Sequence, residues 1–493
     1  MQIMTVLKCS GKRRLPVAGV LLSVAAGMIL SACVSSKLNG GDEQSLTSSW
    51  VRPDDPQESL GAKEHPLVLA QYGGVYSDVE AERVIAVIVG KLVAVSNDPA
   101  RVYKIHILNS PKVNAFALPG GFLYVTRGLL ALANDSSELA AVIAHEMAHV
   151  SANHAIIRKE RQSSAKLGEK VVSDVLGGNA AGRIALAANQ IRLTSFSQDQ
   201  ELQADTVGIR MIGRAGYDPF AAARFLRTME LYRYYQSQGN NGTQSFISSH
   251  PSTPKRIEFA NRHARFFGAP GVGDRARERY LQGINGLQYG DTVSEGFIRD
   301  RTFSHIGMGI TFTAPAGFRI DNQPKAVMVS GPGEVATRFD AAVLSSQRSL
   351  SQYLRSGWIS GLQEDTIRQE TINGFESATA VARGDGWRFR VRVLRSGSQV
   401  YRFITAAPQT STTLDSVSDS IAHSFRKLNK AQKAAIKPLA IKVVTAKRGQ
   451  GVSYFTRRMK GQSNPEKLLR ILNGLGSNDA IEPGQQIKLV VDQ

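Results

Sequence analysis

The sequence predicts a multidomain α+β protein: a mainly helical domain with a small edge sheet, an α+β domain, and a small module of strands around helix. Three stretches carry this prediction. Asp135-Ser136-Ser137-Glu138 is a capping signal, and behind it Leu139, Val142, Ile143, Met147 and Val150 recur at helical spacing. Trp387-Arg388-Phe389-Arg390-Val391-Arg392-Val393 alternates strictly, as a strand with two different faces does. Near the C-terminus, strand-like Ile441–Val444 and Ile487–Val490 bracket a helical pattern from Pro465 to Leu472. At 493 residues the chain has room for two to four domains, and 42% hydrophobic with 20% charged residues excludes a disordered chain.

Taken in order, the chain opens with Lys8, Lys12, Arg13 and Arg14, followed by an apolar stretch from Leu15 to Leu30, the layout of an export signal. Leu30-Ser31-Ala32-Cys33 resembles the lipobox of bacterial lipoproteins. That resemblance implies cleavage before Cys33 and acylation of it, leaving Cys33 as the sole cysteine and lowering the formal charge from +19 to +15. No disulfide or cysteine-based metal site is then available. Val34 stands where an inner-membrane lipoprotein carries aspartate, so the implied destination is the periplasmic face of the outer membrane. The basic residues are scattered, with no compact Lys/Arg block in the mature chain, and a solvated basic surface is expected rather than a nucleic-acid site.

Residues 33–64 read as a flexible tether rich in Ser, Gly, Asp, Glu and Pro. Ser77-Asp78-Val79-Glu80 offers a capping signal for a helix carrying Val84, Val87, Ile88 and Val95. Val102–Leu108 reads as a strand, and Asn114–Val125 as two short strands hinged at Pro119-Gly120-Gly121. After the capped helix of Asp135, residues 158–194 suggest a helical excursion interrupted at Gly177-Gly178. Ser197–Gln200 and Asp218-Pro219 each open a further helix. Gly, Arg and Asp dominate around 266–300, which is read as a linker. In the α+β domain of 301–429, helices are expected at Leu350–Trp358 and Leu414–Phe425, with Arg388, Arg390 and Arg392 on the wet side of an antiparallel sheet. An Ala/Lys/Gln linker at 430–437 precedes the last module, 438–493. Its element order resembles LysM, a βααβ module that binds N-acetylglucosamine polymers, although Arg448-Gly449-Gln450-Gly451 replaces the usual Gly-Asp-Thr opening.

The chemistry gathers at His145-Glu146-Met147-Ala148-His149. Residues four apart share a helix face, so the two imidazoles can grip one metal ion with Glu146 beside them. A zinc site needs a third protein ligand, and Glu201 with Asp205, again four apart, supplies candidates: Glu201 as ligand, Asp205 as acceptor for the far N–H of a ligand histidine. On its own this pair would read as an exposed acidic helix face; beside His145, Glu146 and His149 it does not. His154, about 140° round an uninterrupted helix from His149, is not expected to be a ligand. His65, His106, His263, His305 and His423 read as surface or packing residues.

His-Glu-x-x-His followed by Glu201-Leu202-Gln203-Ala204-Asp205 resembles the gluzincin metallopeptidases that include type 1 CAAX prenyl proteases and bacterial periplasmic metalloproteases. Asn114-Ala115-Phe116 with Pro119-Gly120-Gly121, Gly216-Tyr217-Asp218-Pro219, and His250-Pro251 before Arg256-Ile257 fit the same pattern. The resemblance covers about residues 70–265 and implies a zincin peptidase domain at 65–265. It implies one Zn²⁺ on His145, His149 and Glu201, Glu146 as general base, and Asp205 beside the ligands. Asn114, Ala115 and Phe116 would bind extended substrate. His250 is implied either as a fourth ligand that keeps the enzyme latent or as an oxyanion stabiliser with Arg256 nearby; a helix-capping role before proline fits it too. The implied function is a zinc endopeptidase of the bacterial envelope, acting on misfolded or misassembled envelope proteins and held to the membrane by lipid. Alternatives are an assembly chaperone working with the outer-membrane assembly machinery, its protease regulated, or a peptidoglycan-associated binding protein or hydrolase.

Overall fold

The computed structural model describes residues 56–157, 196–238, 250, 253–345, 347–384, 386–461 and 464–493. The export signal, Cys33 and the helical excursion of 158–194 lie outside the described residues. No helix among the described residues is long and apolar enough to cross a membrane.

The stretch expected to be tether is helical at its end: α1 spans Pro56–Gln71, with Pro66 inside it. Its pattern is weakly amphipathic, so the helix depends on tertiary packing. Ala62, Val68 and Leu69, with Tyr72 just beyond the helix, lie against Phe116, Phe122 and Tyr124 of the first sheet. Next, α2 (Val79–Ala94) starts at Asp78, whose side chain accepts from Ala81 N, and turns Val84, Ile85, Ile88 and Leu92 inward. Three strands follow: β1 (Lys104–Leu108), β2 (Ala115–Leu118) and β3 (Phe122–Thr126), in the order β1-β3-β2. Among the described residues, β2 therefore has a free edge. The hinge between β2 and β3 places Gly120 and Gly121 at φ 81° and 80°, a conformation that strongly favours glycine.

After α3 (Arg127–Leu132) comes α4 (Ser136–Ser151), which carries the metal-ligand motif. Asp135 caps it by accepting from Glu138 N, while Glu138 accepts from Asn134 N rather than from Asp135, so the expected capping box is shifted by one residue. Then come α5 (Gln198–Arg214), with the full Ser197/Gln200 capping box, α6 (Ala221–Gln238), which starts two residues later than its proline, and α7 (Pro254–Ala264).

The segment expected to be a linker, 266–300, is structured instead. It holds α8 (Arg277–Gly283), β4 (Gln288–Tyr289) and β5 (Phe297–Arg299). Tyr280, Leu281, Ile284 and Leu287 join the same core as α2 and α4, and Tyr280 donates its hydroxyl proton to Leu130 O at 2.6 Å. Glycine and charge at its rims hid a short buried segment.

The α+β region is built on a seven-stranded antiparallel sheet in which β6 (Trp387–Ser396) is an interior strand. The arginines of β6 are not its wet side. They face α10 (Leu414–Ser424): Arg388 and Arg390 bind Asp415 at 2.7 and 2.5 Å, and Arg392, 4% exposed, binds Asp419 and Glu370 at 2.9 Å each. Alternation separates the two faces of a strand but does not say what covers either one. The helix α9 at Leu350–Leu354 is shorter than expected, and residues 430–437 contain a helix, α11 (Lys430–Ala435), rather than open linker.

The last module has the order β7 (Leu439–Thr445), α12 (Val452–Thr456), α13 (Pro465–Asn473) and β8 (Gln486–Asp492), with β7 and β8 antiparallel. Among the described residues it has no core of its own. Ile441, Phe455, Leu468, Leu472, Ile487 and Val490 share one cluster with α2, α4 and α8, and β4 pairs with β7. Lys488 is fully buried and donates to Ala131 O and Ala133 O at 2.8 and 2.6 Å, placing an amine at the C-terminal end of α3. The module is thus packed into the frame that carries the motif helix.

Candidate metal centre

α4 and α5 lie against each other, and Gly208 makes their closest approach possible. A Cβ at Gly208 would sit 3.1 Å from His145 N and 3.4 Å from its Cα, so even alanine there would require the two helices to give by a few tenths of an ångström at the motif. This packing carries Glu201, in the first turn of α5, to His145 and His149 of α4. His250 comes from the segment before α7; that helix is capped by Thr253, whose side chain accepts from Arg256 N, so His250 is not a cap.

His145, His149, Glu201 and His250 offer one ligand atom each, all within 4.8 Å of one another. His145 Nε2 lies 3.0 Å from His149 Nε2 and 3.2 Å from His250 Nδ1. Glu201 Oε1 lies 2.9 Å from His250 Nδ1 and 3.5 Å from His149 Nε2, and Oε2 is 3.5 Å from His145 Nε2. A tetrahedral Zn²⁺ with bonds of ~2.0–2.1 Å has ligand–ligand edges of about 3.3 Å. The observed spacings straddle that edge. The four residues and Glu146 are each at most 5% exposed.

The charges agree with the geometry. Burial drives Glu201 towards its neutral form, but His250, His145 and His149 outweigh it and hold the carboxyl well below its usual range. Burial acts against Asp205 in the same way, and Arg256 and His145 keep it ionised. Burial opposes charge on His145, yet hydrogen bonds to Asp205 and Glu201 raise its pKa to about 10. Burial, with His145 and His250 alongside, pushes His149 down to about 2 despite Glu201. Two ionised carboxylates lie beside converging imidazole nitrogens, and a dication that takes the place of the proton on His145 fits both.

Asp205 stands where the sequence placed it: its Oδ1 is 3.0 Å from His145 Nδ1, so Nδ1–H donates to it and Nε2 is the nitrogen turned towards the other ligands. Arg256 was expected only beside a possible oxyanion role of His250, and the structure gives it other partners. Its guanidinium reaches Glu201 Oε2 at 2.6 Å and both oxygens of Asp205 at 2.7 and 2.8 Å, so it braces the two carboxylates of α5. Glu146 Oε1 lies 3.7 Å from His250 Nε2. A cleft of about 450 Å³ opens beside this group, bordered by Asn114, Ala115 and Phe116 on the free edge of β2 and by Glu146, His149 and His250. Phe196, which the sequence reading passed over, stacks on His149 with centroids 4.0 Å apart and also lines the cleft. Its position directly before the Ser197 cap was the available signal.

Residues 80–264 match Peptidase family M48. The chain is 32% identical over 208 residues to a mitochondrial metalloendopeptidase OMA1 of Schizosaccharomyces pombe, covering 41% of this chain and 59% of the relative. It is 30% identical over 185 residues to a beta-barrel assembly-enhancing protease of Yersinia pestis, covering 35% of this chain and 37% of the relative. A protein of the same description in Escherichia coli strain K12 is 30% identical over 183 residues, with 35% and 37% covered. The chain thus spans between about a third and three-fifths of the length of these curated relatives.

Proposed function

We propose that this chain, with its M48 zinc metallopeptidase domain, is an endopeptidase of the bacterial cell envelope that hydrolyses misfolded or misassembled envelope proteins and is held latent by His250. The observation that carries the reading is the convergence of His250 Nδ1 with His145, His149 and Glu201. Zinc held by His145, His149 and Glu201 would acidify water and polarise a substrate carbonyl. Glu146 then takes a proton from water and passes it to the leaving amine nitrogen. An extended segment adds to the free edge of β2 at Asn114–Phe116 through its backbone, which suits unfolded clients of any sequence. Asp205 and Arg256 keep the ligands aligned. With zinc bound, His250 would take the ligand place that water or a carbonyl needs; its Nδ1 converges with the other ligand atoms and its Nε2 lies 3.7 Å from Glu146.

The names of the bacterial relatives support an envelope address and a link to outer-membrane protein assembly. A lipid on Cys33 would hold the protein at the outer membrane facing the periplasm. Residues 438–493 serve in this reading as part of the peptidase frame rather than as a free peptidoglycan-binding module, because their apolar side chains are spent on the shared core.

Replacing His250 by Ala tests latency. A working state populated at ~0.1–10% predicts at least about a tenfold gain in cleavage of an unfolded outer-membrane protein. Loss of cleavage in a variant that keeps its zinc would favour an oxyanion role and end the latency reading.

A further inference from the structure

We infer that His154 is a positioning residue that, together with Gln203, sets the tautomer of the ligand His149. An uninterrupted helix would carry His154 away from the site. Instead α4 ends at Ser151, and Asn153 takes a left-handed conformation at φ 54° with its N–H donating to Val150 O at 3.0 Å. Asparagine is among the few residues that enter this conformation readily. The turn folds His154 back beneath the motif, where it is 2% exposed.

Its Nδ1 lies 2.9 Å from His149 Nδ1, and its Nε2 lies 3.2 Å from Gln203 Oε1 on α5. The rings meet edge-on, 4.9 Å apart at 71°, as a nitrogen-to-nitrogen hydrogen bond allows. The proton positions follow from donor and acceptor rules. Gln203 Oε1 only accepts, so His154 Nε2 carries the hydrogen. A neutral imidazole has one N–H, so His154 Nδ1 is a lone pair and His149 Nδ1–H donates to it. His149 Nε2 is then bare, and it points towards His145 Nε2 and Glu201. Gln203 and His154 thereby do for the second histidine what Asp205 does for the first. The difference is chemical: an imidazole orients His149 without adding another carboxylate to a site already rich in them.

This inference rests on the zinc-site reading above, and zinc affinity separates the two. The full-length protein is stripped of metal and titrated with Zn²⁺ against a chromophoric chelator. Outer partners of ligand histidines are worth ~10–100-fold in metal affinity, so His154→Ala is expected to bind zinc that much more weakly. His154→Asn, whose side-chain oxygen takes the place of Nδ1, should recover most of the loss. His154→Leu, which fills the space without an acceptor, should not. Gln203→Leu alters an exposed side chain, leaves the packing intact, and should weaken zinc several-fold. Wild-type affinity in His154→Ala or in Gln203→Leu, or equal rescue by Leu and Asn, would overturn the role of His154 while leaving the zinc site standing. A wild-type protein that binds no zinc would instead remove the site itself.

Discussion

Replacing Glu146 by Gln is expected to lower kcat/KM for an unfolded protein substrate by ~10²–10⁴-fold while leaving bound zinc at the wild-type level. The size is that of losing a positioned general base. The separation of the two effects comes from the geometry. Glu146 lies on α4 beside the ligands, but the four converging ligand atoms belong to His145, His149, Glu201 and His250. Glutamine keeps the shape of glutamate in a position that is 3% exposed, so neither a cavity nor a shift of α4 should follow. What goes is the capacity to take a proton. Cleavage assays and metal analysis on the same preparations check this, and a variant that cleaves at the wild-type rate would rule out Glu146 as the base. Because His250 suppresses the resting rate in this account, the comparison is sharpest in a His250→Ala background.

Glu201→Gln is expected to behave in the opposite way, losing zinc first and activity as a consequence. Glu201 is the one carboxylate among the four converging residues and the one negative charge they contribute. The amide still offers an oxygen to Arg256, now 2.6 Å from Oε2, so the buried guanidinium is not left bare. The zinc affinity should fall by more than the ~100-fold upper range that outer partners are worth, because a direct ligand is replaced by a weaker, neutral one. Excess zinc should then restore part of the cleavage. A chelator competition curve that overlays the wild type would mean that the third ligand lies elsewhere.

The residues that hold the site were legible where spacing alone dictates geometry. His145 and His149 are four apart on one helix, Glu201 and Asp205 four apart on another, and both pairs face each other as their periodicity requires. The capping signals at Asp78, Asp135 and Ser197 marked the starts of their helices. Three features were not legible, each for its own reason. His154 is no ligand, as expected, but its contact with His149 was hidden, because projection around a helix fails once the helix stops and nothing in the sequence fixed the left-handed turn at Asn153. Arg256 was placed near the oxyanion because sequence proximity to His250 carries no information about which acids its guanidinium meets. Gly208 drew no notice, since a lone glycine in a helix declares its purpose only when another backbone is seen against it.

Similar reasoning explains the domain boundaries. Composition suggested breaks at 266–300 and 430–437, yet Tyr280, Ile284, Ile441 and Leu489 belong to one buried cluster with the motif helix. Long-range burial of this kind leaves no local trace. The arginines of β6 make the same point for charge, because their partners on α10 lie more than twenty residues away in sequence.

Zinc K-edge absorption spectroscopy on the full-length protein, compared with His250→Ala, tests the central claim most directly. The account predicts three imidazoles and one carboxylate oxygen around zinc in the wild type, and one imidazole fewer in the variant. Two imidazoles in both would contradict it.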